Sequence, residues 1–186
     1  GSPIVALNEV NELFSNNPSE CPNILFVFND KDKSTIEPEK YKIERVEELA
    51  QHIQLPSNVH IDYNKEDFSN ILPISIEKVK KRQIYSRGLF FIDPYGYKEI
   101  DLEEIKKLIQ CGNTELIMFL PTSFMYRFAE SSYNSDAPGT EPIKKFTQKL
   151  FNEKPNFIDI YDFIEQLKCR FESYLNVTNL YITTYS

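Results

Sequence analysis

Tryptophan is absent, and the 186 residues hold only 5 glycines, none of them clustered. The glycine shortage excludes most. A nucleotide-binding α/β fold usually holds its ligand on a Gly-rich loop between the first strand and the first helix, and no such loop occurs here. Cysteine and histidine are sparse as well. Cys21, Cys111 and Cys169 are far apart and odd in number, and only His52 and His60 could assist them. Neither a zinc site nor a disulfide framework is expected from that set, and a reducing cytoplasm suits it better. No apolar run is long enough to cross a bilayer, and no signal peptide opens the sequence, so a soluble, cytoplasmic protein without a membrane partner is expected. A net charge of -7 excludes a general basic surface for nucleic acid. The one local candidate is Lys78 to Arg87 (KVKKRQIYSR), which reads either as a basic patch or as a solvated helix end.

What the sequence does hold is a series of short apolar runs alternating with helical patterns. Asn23 to Phe28 (NILFVF), Asn58 to Tyr63, Gly88 to Ile92 (GLFFI) and Glu115 to Leu120 (ELIMFL) read as strands, and the continuous runs imply burial on both faces. Helical spacing occurs over Ile4 to Phe14, with Ser2 as a cap, over Lys42 to Ile53, over Leu102 to Ile109 and over Phe157 to Leu175. Ile71 to Tyr85 is a loosely patterned helix or loop, and Thr122 to Glu130 looks helical. Ser131 to Pro142 (SSYNSDAPGTEP) reads as an exposed loop or lid, and Tyr181 to Tyr185 as a last strand. Strand and helix alternate throughout, which predicts one α/β domain over residues 1–186. Its sheet should be mostly parallel and doubly wound, with helices on both faces.

In such sheets ligands sit outside the carboxyl ends of the strands. Asp30 and Asp93 follow two of the strands directly, and Asp67 lies a few residues beyond a third. Each acid has two readings. Asp30 is a ribose-type acceptor or a turn acid, and Asp67 is a ligand group or part of a capping turn in Asn-Lys-Glu-Asp. Asp93-Pro94-Tyr95-Gly96 is a catalytic block or simply a tight turn, with proline fixing φ and glycine allowing φ > 0.

Gly1-Ser2-Pro3-Ile4-Val5-Ala6-Leu7, Phe26-Val27-Phe28-Asn29-Asp30-Lys31-Asp32 and Phe90-Phe91-Ile92-Asp93-Pro94-Tyr95-Gly96-Tyr97 resemble the three-Cys-motif partner (TcmP) proteins of prokaryotes and phages. Glu115 to Leu120 and Arg127 also fit, so the resemblance runs over nearly the whole chain. The family is named after a genomic neighbour with a three-cysteine motif, so the three cysteines here carry no weight. The resemblance implies a Rossmann-like fold of the S-adenosyl-L-methionine (SAM) methyltransferase kind. It implies SAM as cofactor, with Asp30 on the ribose and Asp67 and Phe68 flanking the adenine. It makes Asp93, Pro94, Tyr95 and Gly96 the catalytic block of an amino-methyltransferase. The family's first strand and its Asp-x-x-Ala-Gly-x-Gly loop would precede Gly1. The chain is therefore expected to be a fragment lacking that strand, and to bind SAM weakly or not at all by itself.

The implied chemistry is coherent. Methylating an exocyclic amine needs acceptors for its hydrogens, so that the nitrogen lone pair faces the methyl sulfonium. The Asp93 carboxylate and the Pro94 carbonyl would supply two, and Tyr95 would stack on the base. The block reads Asp-Pro-Tyr-Gly, where many such enzymes have Asp-Pro-Pro-Tyr, and it resembles the Asp-Pro-Phe-Gly of tRNA guanine-N2 methyltransferases. Two functions follow from this reading. One is methyl transfer to a nucleic-acid base amine, and the other is a non-catalytic partner or specificity subunit for the three-Cys-motif protein. A phosphate-handling nuclease is a third, and it would need metal-binding acids close together.

Overall fold

The computed structural model describes residues 2–81, 87–94, 100–177 and 179–182. The chain divides into two compact units, Gly1–Glu77 and Lys78–Ser186.

The first unit begins with helix α1 (Ser2–Phe14), which buries Leu7 and leaves Val5 and Leu13 exposed. Ser2 is the first residue of that helix, not a cap standing before it. A 3₁₀ turn at Pro18–Glu20 leads to strand β1 (Ile24–Asn29). Helix α2 (Lys42–Ala50) follows, with Ile43 and Ala50 buried seven residues apart on one face, and then strand β2 (Val59–Asn64). β1 and β2 pair in parallel, in register from Ile24 opposite Val59 to Asn29 opposite Asn64. Helix α3 (Phe68–Lys80) buries Ile71, Leu72 and Ile76, settling the loosely patterned stretch as a helix as far as Lys80.

The second unit holds strand β3 (Gly88–Ile92), helix α4 (Leu102–Ile109) and strand β4 (Thr114–Met118), with β3 and β4 also parallel. Gly88 starts β3 where a Cβ would come within 2.9 Å of the Phe90 ring, so a side chain there would push that ring aside. Asp101 caps α4 by accepting the Glu103 N–H at 2.8 Å. The helix buries Leu102, Ile105 and Leu108, as its spacing predicts. It stops where Gly112 and Asn113 take φ values of 70° and 50°. Helices α5 (Thr122–Ser132), α6 (Glu141–Leu150) and α7 (Ile160–Leu175) complete the unit, with Asp159 capping α7.

The protein is therefore an α/β chain with parallel strand pairing, as its alternation predicts. Other expectations change. The described strands form two two-stranded sheets, β1–β2 and β3–β4, not one longer sheet. They are also less buried than continuous apolar runs imply. Leu89, Phe91, Ile117 and Phe119 are exposed on one face of β3–β4, while Ile92 is buried on the other. An apolar sequence dictates what a strand tolerates on each face, not that both faces are covered. The expected loop over Ser131 to Pro142 is shorter at both ends, because Ser131 and Ser132 close α5 and Glu141 and Pro142 open α6. Tyr181 and Ile182 are not in a strand, and the remainder of that expected strand lies outside the described residues.

Cys21 and Cys111 are buried and Cys169 is exposed. A thiol reagent added to the native protein should accordingly modify Cys169 first, and the other two at the rate of local opening. Mass spectrometry of partly labelled protein checks this, and early labelling of Cys21 or Cys111 would contradict it.

Candidate functional site

In the first unit the carboxyl ends of β1 and β2 lie at the same level, because Asn29 pairs with Asn64. Side chains then lock the two following loops together. Asn29 donates through Nδ2 to the Glu66 carbonyl at 2.9 Å and accepts the Glu66 N–H on Oδ1 at 3.0 Å. That two-way clamp fixes the loop carrying Glu66 and Asp67 beside the end of β1. Asp30 donates its own N–H to the Asn64 carbonyl, at 3.2 Å. Its Oδ1 accepts the Asp32 N–H at 2.9 Å, an Asx turn that re-aims the chain after β1. Asp67 stands immediately before α3, and its carbonyl accepts the Asn70 and Ile71 N–H groups. Its carboxylate pairs with Lys31, whose ammonium reaches across from the β1 loop. Phe68, the first residue of α3, is half-buried beside it in sequence.

Asp30, Asp67 and Phe68 thus come to one edge of the β1–β2 sheet. The turn role of Asp30 and the helix-entry role of Asp67 are realised too, and neither uses up the carboxylate. An ionised carboxylate has about four acceptor positions, and one hydrogen bond to Asp32 leaves the others available. The Lys31–Asp67 pair is roughly half exposed at both ends, a setting in which such pairs contribute about 0–1 kcal/mol. A ligand hydroxyl or amine can displace it at small cost.

Behind this edge the loop from Lys31 to Tyr41 is stapled down. Lys33 forms a lone antiparallel bridge with Tyr41, and its ammonium lies 3.9 Å from the Tyr41 ring centroid. Lys65 approaches the same ring to 4.9 Å and pairs with Glu44. The Lys65 ammonium, with a hydrogen bond from the Tyr41 N–H, holds the Glu44 carboxyl below its ordinary range. Lys42 pairs with Asp32 at 2.9 Å. The Lys31–Asp67 pair and the Asn29 clamp are not visible in sequence, since both depend on the β1–β2 register. The one local hint was an Asn at the end of each of two strands.

The remaining expected site residues lie in the second unit. Asp93 is the first residue beyond β3 and is exposed, and Pro94 is half-buried. The strand end is anchored by the Phe119 N–H, which donates to the Ile92 carbonyl at 2.9 Å. Tyr95 and Gly96 lie outside the described residues. The structure therefore places the acid and the proline of the block but not its aromatic or its glycine.

Among the described residues no group of three or more His, Cys, Asp or Glu side chains is arranged to hold a metal ion. No helix of the described residues is long and apolar enough to cross a membrane. Within the Lys78 to Arg87 stretch, Lys78 and Lys80 occupy the last turn of α3, where cations complement the helix dipole. Comparison with protein-family models, with curated proteins and with solved structures finds no match to this chain.

Proposed function

We propose that the chain is a Rossmann-like, SAM-methyltransferase-like domain directed at a nucleic-acid base amine. The observation that carries this reading is the joining of Asp30, Asp67 and Phe68 at the carboxyl edge of two parallel strands. There the Asp30 carboxylate keeps acceptor capacity for a ribose diol, and Phe68 offers an apolar wall for a purine. Asp93 and the Pro94 carbonyl, at the carboxyl end of β3, would orient the amine. The sequence has no Gly-rich loop whose backbone N–H groups could grip the rest of the cofactor, so the affinity of this chain is set by the Asp30 edge alone.

Titrating SAM into the labelled protein should shift the backbone amides of residues 30–32 and 66–70, saturating with a Kd weaker than about 0.1 mM, or less than about 5.5 kcal/mol of binding free energy. Asp30→Ala should weaken that binding about tenfold or more, as loss of a hydrogen-bonded carboxylate does. Shifts elsewhere, or an unchanged Kd in Asp30→Ala, would remove the cofactor assignment.

The second reading is a non-catalytic partner subunit for a three-Cys-motif protein. The exposed apolar face of β3–β4 favours it, because Leu89, Phe91, Ile117 and Phe119 form a row of large side chains on one side of the sheet. Phe91→Asp with Ile117→Lys should abolish co-purification with such a partner and leave the SAM-induced shifts of residues 30–32 intact. Retention of the complex by that variant would exclude this face as the contact.

A further inference from the structure

A cavity stands in the Lys78–Ser186 unit, remote in sequence from Asp30, Asp67 and Asp93. Gln166 and Arg170 are four residues apart on α7 and so share one face of it. The segment after α6 is tied against that face. Phe151 and Pro155 are buried, and Gln166 Nε2 donates to the Asn156 carbonyl at 3.1 Å and to Asp162 Oδ2 at 3.0 Å. Between segment and helix is an open cavity of about 300 Å³, whose polar lining includes Glu153, Lys154, Asn156, Gln166 and Arg170. That volume is at the lower end for small-molecule sites.

Arg170 makes the cavity unusual. Its guanidinium lies 5.8 Å from the centroid of the buried Phe151 ring, at the outer range of a cation–π contact. No carboxylate among the described residues is within ion-pair distance of it. Arg170 is half-buried as a residue and lines the cavity, and its guanidinium fork, without a carboxylate partner among the described residues, can receive an oxyanion with two parallel hydrogen bonds. The neighbouring Lys154, which shares its charge with Glu130 at 3.2 Å, adds positive potential, and Asn156 adds an amide donor. Glu153 opposes an anion and so sets a limit on affinity.

We propose that this cavity is a phosphate-binding site, taking either free phosphate or the phosphate of a small monoester, with Arg170 as the bidentate ligand. It is independent of the SAM reading.

The test is a titration of isotope-labelled protein at fixed ionic strength with inorganic phosphate, adenosine monophosphate, and acetate as a monoanion control. The Arg170 side-chain N–H and the amides of residues 153–156 report binding. Phosphate should give saturable shifts there at millimolar concentration. Arg170→Ala should weaken binding at least about tenfold, the scale for losing charge-assisted hydrogen bonds. Arg170→Lys keeps the charge without the fork and should fall between, which keeps the test valid if the alanine variant loses its packing on Phe151. Glu153→Gln should tighten binding severalfold. Tighter binding of the monophosphate than of phosphate would assign the cavity to a monoester, and equal binding would assign it to the free ion. Absence of saturation, equal shifts with acetate, or unchanged affinity in both Arg170 variants would overturn the proposal.

Discussion

Phe163→Ala is expected to lower the stability of the Lys78–Ser186 unit by about 3–5 kcal/mol, the range for removing a fully buried aromatic from a packed core. Phe163 is 0% exposed and sits in a cluster of rings. Phe157 meets it edge-on at 4.9 Å, and Tyr126 lies at 5.6 Å. Phe157 in turn packs against Phe151 at 5.9 Å, so the cluster joins α7 to the segment after α6. Deleting the Phe163 ring leaves a cavity beside Phe157 and Tyr126, which sit on different segments and cannot both collapse into it. Phe91→Ala is the informative contrast. A continuous apolar strand predicts a core cost for it as well, yet Phe91 is 49% exposed and its ring partner among the described residues is Phe119 at 5.4 Å. Its loss should cost no more than the about 0.5–1.5 kcal/mol of an aromatic pair plus a small burial contribution. Chemical denaturation followed by circular dichroism compares the two. Equal losses would mean that the β3–β4 face is covered in solution.

That contrast shows which part of the molecule was legible in its sequence. The four strands, and helices α2, α4 and α7, follow from local periodicity, because a helix or strand must present one repeating face whatever covers it. Helix α6 had the same signal in Ile143, Phe146, Thr147 and Leu150, all buried. The polar stretch running into Glu141-Pro142 hid it, although a proline in the first helical turn is a starting signal. Burial of the strands was not legible, since it depends on what packs over them. Asp30 and Asp67 were legible together, because the parallel pairing of β1 and β2 puts their carboxyl ends on one edge. Their partners were not. Lys31 meets Asp67, and Asn29 meets Glu66, across separations of 36 and 37 residues that only the β1–β2 register brings together.

Asp93→Ala should leave the thermal midpoint nearly unchanged and lower methyl transfer to a base amine by about 10²-fold or more, the loss seen when a group stabilising a transition state is removed. The first half rests on position. Asp93 is exposed just beyond β3, and the backbone there is held by the Phe119 N–H bond to the Ile92 carbonyl, which the substitution does not touch. The second half rests on the proposed chemistry. An amine nitrogen attacks a methyl sulfonium through its lone pair, and it becomes more positive as the bond forms. A carboxylate accepting one of its hydrogens both aims that lone pair and stabilises the growing charge. Asp93→Asn separates the two effects, because it keeps an acceptor oxygen but loses the charge, and it should retain more activity than Asp93→Ala. Radiolabelled methyl transfer to nucleic acid, measured with SAM in excess, reads all three proteins. Wild-type rates in Asp93→Ala would leave Asp93-Pro94 as the opening of a tight turn. A lowered midpoint would give its carboxylate a structural duty instead, and either result removes it from catalysis.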